Sequence, residues 1–536
     1  MNSVLNQDHV VRSPLNYEFW QNELQYYPDR KVVDTLLQHI KEGANIGYQG
    51  NQFSHISSNW PSAYTYKDSV RKIILKNAEK GRLEGPFYSP PHQFFRASPL
   101  GAFPKKRSQK IRVIHDLSWP PGMSINEFIN KYDYAFHFST IDDAVQRCRQ
   151  YDTPYMVKLD ITDAYMHCIV RPEDRHLLGF TWEENGIREY WQYAVLPFGL
   201  SSSPKLFNDH AEALKYIMIN RGASGDTLHY LDDFCSVSDS ESEAKKSLDI
   251  MCETITRAGM EIQQEKTSGP SRIIEYLGII IDTELWQLRI SDVRLKEIKS
   301  ALCEWTDKVV CTKRELLSLI GKLVFCAKVI RNGRKFVARL IDLSKKVKHL
   351  HHKIKLNQQA RGDIKWWLRS MHSHNGTTMF PETWDNTKCH VCFCDASDLA
   401  AAGVYGNLWF TVPFAEKEAW MALRPIAWRE LYAIVVCIAT FGTLFAHGRV
   451  AMFTDNQAVM WCINNGKSAC PQLMALIRSL YYYTTYYEID CRAFYINTHD
   501  NYVADRLSRL KFDEVYQCNI SLSSEPTIPS NILFDF

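Results

Sequence analysis

The chain has 536 residues, 45% of them hydrophobic and 23% charged. At about 100 to 200 residues per domain this length excludes a single compact core, and the ordinary balance of residue types excludes long disordered or fibrous tracts. The formal net charge is only +3, so a polyanionic partner has to be met by local patches, such as Lys105 to Arg112 or Lys345 to Lys355, and not by overall basicity.

The 15 cysteines are odd in number and lack paired zinc-finger spacing. They read as reduced thiols of an intracellular protein, cytoplasmic or nuclear, and not as a disulfide framework. The first 30 residues hold no continuous apolar stretch, and no 18-residue apolar run occurs anywhere, so neither a secretory signal nor a membrane partner is expected.

In chain order, residues 1–84 are mixed, with a helical pattern in Ser69 to Lys80, and carry no assignable chemistry. Pro86 to Pro91, Pro99, Pro104 and the basic run KKRSQK then precede IRVIHDLS, which predicts a hairpin with a charged tip. From Thr140 to Gly278, β-type runs (YMVKLDI, YWQYAVL, YLDDFCSV, YLGIIID) interleave with helices around Ser203 to Asn220 and Glu241 to Ala258, an α+β pattern. Residues 291–370 are Lys/Arg-rich, with one helix in RELLSLIGKLVFCAKVI and a second ending at DIKWWLRS; these helices are expected to link two catalytic units. After the loop-like HNGTTMFPETW, the order is strand (HVCFCDA), two more strands to about Val412, helix (AWRELYAIVVCIATFG), strand (RVAMFTD), helices, strand (EIDCRAFYI) and a final helix through ADRLSRL. That order describes one further α/β domain. Within it Cys389, Cys392 and Cys394 with His390 could be a metal cluster, but they lie in an alternating run, where neighbours point to opposite faces, and a buried strand is the reading adopted.

Two sets of acids stand out. Asp160 ends a β-type run, while Asp232 and Asp233 fall between two such runs, as at a hairpin tip. Any one of them could be a turn residue. Three carboxylates at strand ends can converge, and the cluster is costly unless cations neutralise it; two magnesium ions about 3.5–4 Å apart would suit attack of a 3′-hydroxyl on a nucleotide α-phosphate. The second set is Asp395 at a strand end, Glu430 on a helix, Asp455 at the next strand end and Asp505 in NYVADRLSR. Taken singly, Glu430 reads as a solvated helix residue and Asp455 as a helix N-cap.

YLDD is similar to the Tyr-x-Asp-Asp motif of reverse transcriptases, and LDITDAY resembles the aspartate motif that precedes it in that family. LPFGLSSSP, AGMEIQQEKT with EYLGIIID, and KKRSQKIRVIHDLS match further motifs in family order across about 180 residues. The resemblance implies a right-hand polymerase of fingers and palm (85–290), a helical thumb and connection (291–385), a ribonuclease H-like domain (386–511), a tail (512–536) and an N-terminal region of unknown role (1–84). It implies that Lys105 and Arg112 grip a triphosphate, where a point charge and a planar fork both suit phosphate oxygens. Tyr165 would exclude a ribose 2′-hydroxyl. Phe198 and Gly199 would flank the nucleotide, and Ile161 joins the metal and nucleotide contacts. Lys266 would protonate departing pyrophosphate, with a plain surface lysine as the alternative.

The order of the second set resembles ribonuclease H, whose four carboxylates hold two metal ions that activate water against an RNA phosphodiester. Here the loop THDNYVAD is short, so His499, six residues before Asp505, is only a candidate for the mobile catalytic histidine of many such enzymes. Asn501 instead fits the asparagine that precedes the Ala-Asp pair in retroelement domains. The implied cofactors are two Mg2+ per site, with Mn2+ as a substitute, and the implied partners are RNA template, DNA primer, RNA/DNA hybrid and deoxynucleoside triphosphates. DLSWPPGMSINEFI, TKRELLSLIGKLVFCAKVI, DIKWWLRSMHSHNG and ADRLSRL look like DIRS-type retrotransposons, which are related to long-terminal-repeat and hepadnaviral polymerases. With no Asp-Thr-Gly motif and no His/Cys integrase segment in the chain, that resemblance implies a separately encoded tyrosine recombinase. A catalytically silent, host-retained protein binding RNA or RNA/DNA hybrid is the rival expectation.

Overall fold

In the computed structural model, which describes residues 13–104, 110–330, 332–378, 384, 388–414, 419–517 and 522–532, the chain divides into two units at Leu277/Gly278. This division is coarser than the five segments expected from sequence. The architecture is α+β throughout, the mixed helix-and-sheet arrangement expected of a polymerase.

The first unit opens with helices α1 (Tyr17–Glu23), α2 (Arg30–Glu42) and α3 (Lys67–Glu79). The Asp29 carboxylate accepts hydrogen bonds from the N–H groups of Lys31 and Val32 and so caps α2. Val33, Leu36, Leu37 and Ile40, spaced for one helix face, are buried in the same core as Val157, Leu159, Phe207 and Leu214. Trp20 adds a hydrogen bond from Nε1 to the Ala258 carbonyl, 3.0 Å. At about 1.5–3 kcal/mol for each buried aliphatic side chain, residues 13–84 are an integral layer of this unit.

Strands β1 (Leu100–Pro104) and β2 (Ile111–His115) form the expected antiparallel hairpin; its tip, with Lys105, lies outside the described residues. The sheet that matters for chemistry has the order β6-β3-β5-β4, where β3 is Tyr155–Asp160, β4 Asp226–Tyr230, β5 Asp233–Ser238 and β6 Ser268–Ser271. All three pairings are antiparallel. Helices α4 (Ser203–Asn220) and α5 (Glu241–Arg257) bury Leu206, Phe207, Leu214, Leu248, Met251 and Ile255 in its core. YLGIIID is not one run: Leu277 and Gly278 take φ 49 and 77 and end the strand there.

In the second unit α6 (Lys313–Cys326) and α7 (Gln358–Ser373) precede a five-stranded sheet. Its order is β9-β8-β7-β10-β11, with β7 His390–Ala396, β8 Ala400–Tyr405, β9 Leu408–Pro413, β10 Arg449–Thr454 and β11 Asp490–Tyr495. The first three strands are antiparallel neighbours, while β7, β10 and β11 run parallel. Helix α8 (Ile426–Phe441) is apolar nearly all round and is correspondingly buried, followed by α9 (Gln457–Asn465), α10 (Pro471–Tyr486) and α11 (Tyr502–Ser508).

The helices expected to act as a link are built into this unit. Asp363 of α7, fully buried, ion-pairs with Arg339 at 2.7 Å and with Arg478 of α10 at 2.8 Å. Stranding one member of such a group costs about 3–5 kcal/mol, so it fixes the packing of α7 on α10. Cys392 and Cys394 are buried within β7, and all described cysteines are free. No helix among the described residues is long and apolar enough to cross a membrane.

Candidate active sites

Antiparallel pairing makes Asp160, the last residue of β3, the Cα partner of Asp233, the first residue of β5. Asp232 sits in the turn between β4 and β5, beside Leu231 at φ 54, a left-handed conformation that a bulky side chain rarely adopts. The Asp232 carbonyl accepts a hydrogen bond from the N–H of Ile161 at 3.0 Å, tying the hairpin tip to the residue after Asp160. The three aspartates therefore stand at one end of the sheet.

Positive charge there comes from lysines. Lys266 Nζ lies 2.9 Å from Asp160 Oδ2, and Lys158 Nζ lies 3.3 Å from Asp233 Oδ1. It does not fully compensate. Burial, and then the Asp160 carboxylate, push Asp232 up to about 6, and burial likewise raises Asp233 despite Lys158. Acids held above their ordinary range by burial and by neighbouring carboxylates mark a place that a cation would relieve.

Tyr165 stands on the turn Ala164–His167, its ring 4.9 Å from that of Phe198 and 5.7 Å from that of Phe207. Burial, with the charge of Asp232, pushes its phenol up to about 12, so it stays neutral. Phe198 is half exposed at 48%. Gly199 has φ +110, and a Cβ there would lie 2.2 Å from the His115 carbonyl. The close approach that requires glycine is thus to the end of β2. Arg112 is exposed on β2, opposite Phe103.

The second site forms where parallel pairing aligns Phe393 with Phe453, so Asp395 and Asp455, each two residues further on, come level. One carboxylate oxygen from each of Asp395, Glu430 and Asp455 lies within 4.8 Å of the others. Among the described residues no other such metal-ligating group occurs. Glu430 rises from α8 and accepts a hydrogen bond from the Ala396 N–H at 3.3 Å; Ser508 donates to Asp395, and Thr498 donates to Asp455 at 2.8 Å. Burial and the neighbouring carboxylates push Glu430 up to about 9, and burial raises Asp395 to about 6 against the Ser508 hydrogen bond. An all-oxygen donor set of this kind fits a hard divalent cation.

The fourth acid stands slightly apart. Asp505 accepts from Arg509 Nε at 2.8 Å and lies 3.6 Å from Arg506, though its charge still raises Asp395. His499 is exposed, and among the described residues no hydrogen bond or ion pair joins its ring to the four acids. Asn501 is buried and donates from Nδ2 to the Cys394 carbonyl at 3.0 Å, holding the start of α11 against β7.

Sequence reasoning missed Lys158, Ser508, Thr498 and Asn126. Lys158 was legible, since period 2 puts it on the same strand face as Asp160. Asn126 was not: it donates to the Gly199 carbonyl and accepts from the Ser201 N–H, both 2.8 Å, from 73 residues or more away.

The raised acids give a pH signature. A carboxyl protonated in the folded state binds more protons than in the unfolded chain, so its stabilisation is complete below the ordinary value of 4.5 and is lost as pH rises through about 9 for Glu430. A divalent cation reverses that loss. The increase in melting temperature on adding MgCl2 should therefore be larger at about pH 8 than at about pH 5, and Asp455→Asn should remove most of the difference. Equal increases at both pH values in scanning fluorimetry would refute the metal assignment.

Comparison with known proteins bears on the first site directly. Residues 104–281 match the family model described as "Reverse transcriptase (RNA-dependent DNA polymerase)". The chain is similar to the retrovirus-related Pol polyprotein from transposon 297 of Drosophila melanogaster, 22% identical over 99% of this chain and 46% of that protein. It is also similar to the Pol polyprotein from transposon gypsy of the same organism, 22% identical over 66% of this chain and 33% of that protein. The chain thus spans less than half the length of these relatives. Among solved structures, a foamy viral protease-reverse transcriptase in complex with dsDNA aligns over 90% of this chain and 97% of that one, at 16% identity and a TM-score of 0.48. Residues 104–281, which match the reverse transcriptase family, carry Asp160, Asp232 and Asp233, and the chain as a whole is similar to Pol polyproteins of retrotransposons.

Proposed function

We propose that the chain is an RNA-directed DNA polymerase with an associated ribonuclease H activity, copying retroelement RNA into DNA and degrading the RNA of the resulting hybrid. The observation that carries the reading is the Asp160–Asp233 register with Asp232 at the adjoining tip, inside the segment that matches the reverse transcriptase family. Asp160, Asp232 and Asp233 would hold Mg2+, or Mn2+ in its place, which when bound offsets charge on the attacking and leaving oxygens. Ile161, braced by the Asp232 carbonyl, keeps Asp160 at the hairpin tip. Tyr165 and Phe198 present adjoining rings where a deoxynucleoside triphosphate sugar would lie. Arg112 would meet the triphosphate, and so would Lys105, which lies outside the described residues. Lys266, 2.9 Å from Asp160, would move a proton near the leaving group.

Asp395, Glu430, Asp455 and Asp505 support the second activity on an RNA/DNA hybrid. An RNA template, a DNA primer and their hybrid are the partners that this reading implies. The motif wording favours a DIRS-type element, with a tyrosine recombinase encoded beside it and work done inside the cell. Purified protein should extend a DNA primer on an RNA template with all four deoxynucleotides and Mg2+. Absence of extension by folded protein would overturn the reading.

A further inference from the structure

Arg82 belongs to the stretch of chain to which sequence assigns no chemistry, and it lies outside the 104–281 match. It is nevertheless buried, at 7% exposure. Its backbone is fixed on both sides, with its N–H donating to the Asn77 carbonyl at 2.9 Å and its carbonyl accepting from the Ala194 N–H at 3.0 Å. Its guanidinium leaves the N-terminal layer: Nη1 donates to Asp163 Oδ2 at 2.8 Å and lies 3.5 Å from the Met166 sulfur. A buried guanidinium on a half-exposed carboxylate is a directional contact, unlike a solvated surface pair.

Asp163 is where that contact has leverage. Between Asp160 and Tyr165 the backbone is held at Ile161 by the Asp232 carbonyl and at Thr162 by the Glu261 carbonyl, 2.8 Å. Asp163 then turns into the left-handed region at φ 50, ψ 39, and the turn that carries Tyr165 begins. The Asp163 carbonyl accepts from the Met166 N–H at 2.8 Å. Left-handed backbone at a residue with a Cβ persists only where its surroundings hold it, and the strongest hold on this side chain is Arg82. Lys80 and His167 also act on Asp163 but more weakly than Arg82, and Lys80 is itself paired with Glu261 at 3.4 Å.

We propose that Arg82 is a positioning residue for sugar selection: through Asp163 it fixes the turn that aims Tyr165 at Phe198, and so sets how strictly a ribose 2′-hydroxyl is refused. This inference rests on the polymerase reading above. The chemistry is untouched by Arg82, since the three catalytic aspartates keep their own contacts. What changes in its absence is the freedom of the Tyr165 ring, and misplacement of a positioning group by about 1 Å can cost roughly 100-fold.

The test is single-nucleotide incorporation on an RNA template, with dNTP and rNTP measured separately for the parent, Arg82→Met, Arg82→Lys, Asp163→Asn and the double variant. A merely structural role lowers the active fraction of enzyme, which scales both substrates alike and leaves the ratio of their kcat/KM values unchanged. The expected result is a roughly tenfold fall in deoxy-over-ribo preference for Arg82→Met and for Asp163→Asn. KM for dNTP should rise more than kcat falls, Arg82→Lys should recover part of the preference, and the double variant should be no worse than either single one. Tyr165→Ala, which removes the gate itself, is the positive control. Asp163 is half exposed, so Asp163→Asn keeps the test decisive if Arg82→Met fails to fold. An unchanged ratio in Asp163→Asn overturns the inference while leaving the polymerase reading intact, whereas no extension by the parent overturns both.

Discussion

Asp232→Asn should abolish the proposed DNA synthesis and leave the protein folded. The change is nearly isosteric, and the contact that organises the hairpin tip, from the Ile161 N–H to the Asp232 backbone carbonyl, does not involve the side chain. Asp232 is also pushed up to about 6 by burial and by Asp160, so a neutral amide relieves repulsion in the metal-free protein. Stability should hold or rise slightly. What is lost is a negative oxygen where a cation must be held, together with the transition-state charge stabilisation that the cation supplies, a loss on the order of 1,000-fold or more in rate. Primer extension on RNA, with circular dichroism and melting temperature measured on the same preparation, reads both halves. Synthesis within about tenfold of the parent by folded Asp232→Asn protein would be incompatible with metal-dependent polymerisation at this tip.

How far the sequence already contained this arrangement depends on the range of the interaction concerned. Strand ends and hairpin tips are set by period-2 patterning and turn residues, which is why the sequence alone points Asp160, Asp232 and Asp233 to one sheet end. The helix over Ser203–Asn220 and the strand over His390–Ala396 were legible for the same local reason. Partners contributed by distant segments were not. Arg82 reaches Asp163 across 81 residues, and Ser508 reaches Asp395 across 113; neither arginine nor serine announces such a contact in its own neighbourhood. Gly199 shows a subtler gap: sequence sets it beside a nucleotide, while the group whose close approach requires a glycine there is the His115 carbonyl. The packing of α7 on α10 through Asp363 and Arg478 was equally hidden, because a charged residue in a helical pattern reads as solvated until its partner is known.

The two sites belong to different units, and substitution in one should spare the other. Asp455→Asn should leave primer extension on RNA largely intact and leave the RNA strand of the product hybrid uncut. Asp455 closes the trio with Asp395 and Glu430, and its carboxylate helps drive Glu430 up to about 9. The amide removes one ligand, and Glu430 then regains protons less readily, so part of the crowding that favours a cation disappears as well. Thr498 can still donate to the remaining amide oxygen, which keeps the loop in place and makes a folding defect the less attractive explanation for lost activity. Removing a single ligand from such a cluster typically costs about 100- to 1,000-fold. His499→Ala is a finer probe on the same substrate. A proton-transfer role for that exposed ring is worth roughly 100- to 10,000-fold, and a surface histidine almost nothing. Cleavage of an end-labelled RNA/DNA hybrid reads both variants: if Asp455→Asn cuts like the parent, the cleavage does not depend on Asp455 and the trio is not its catalytic centre.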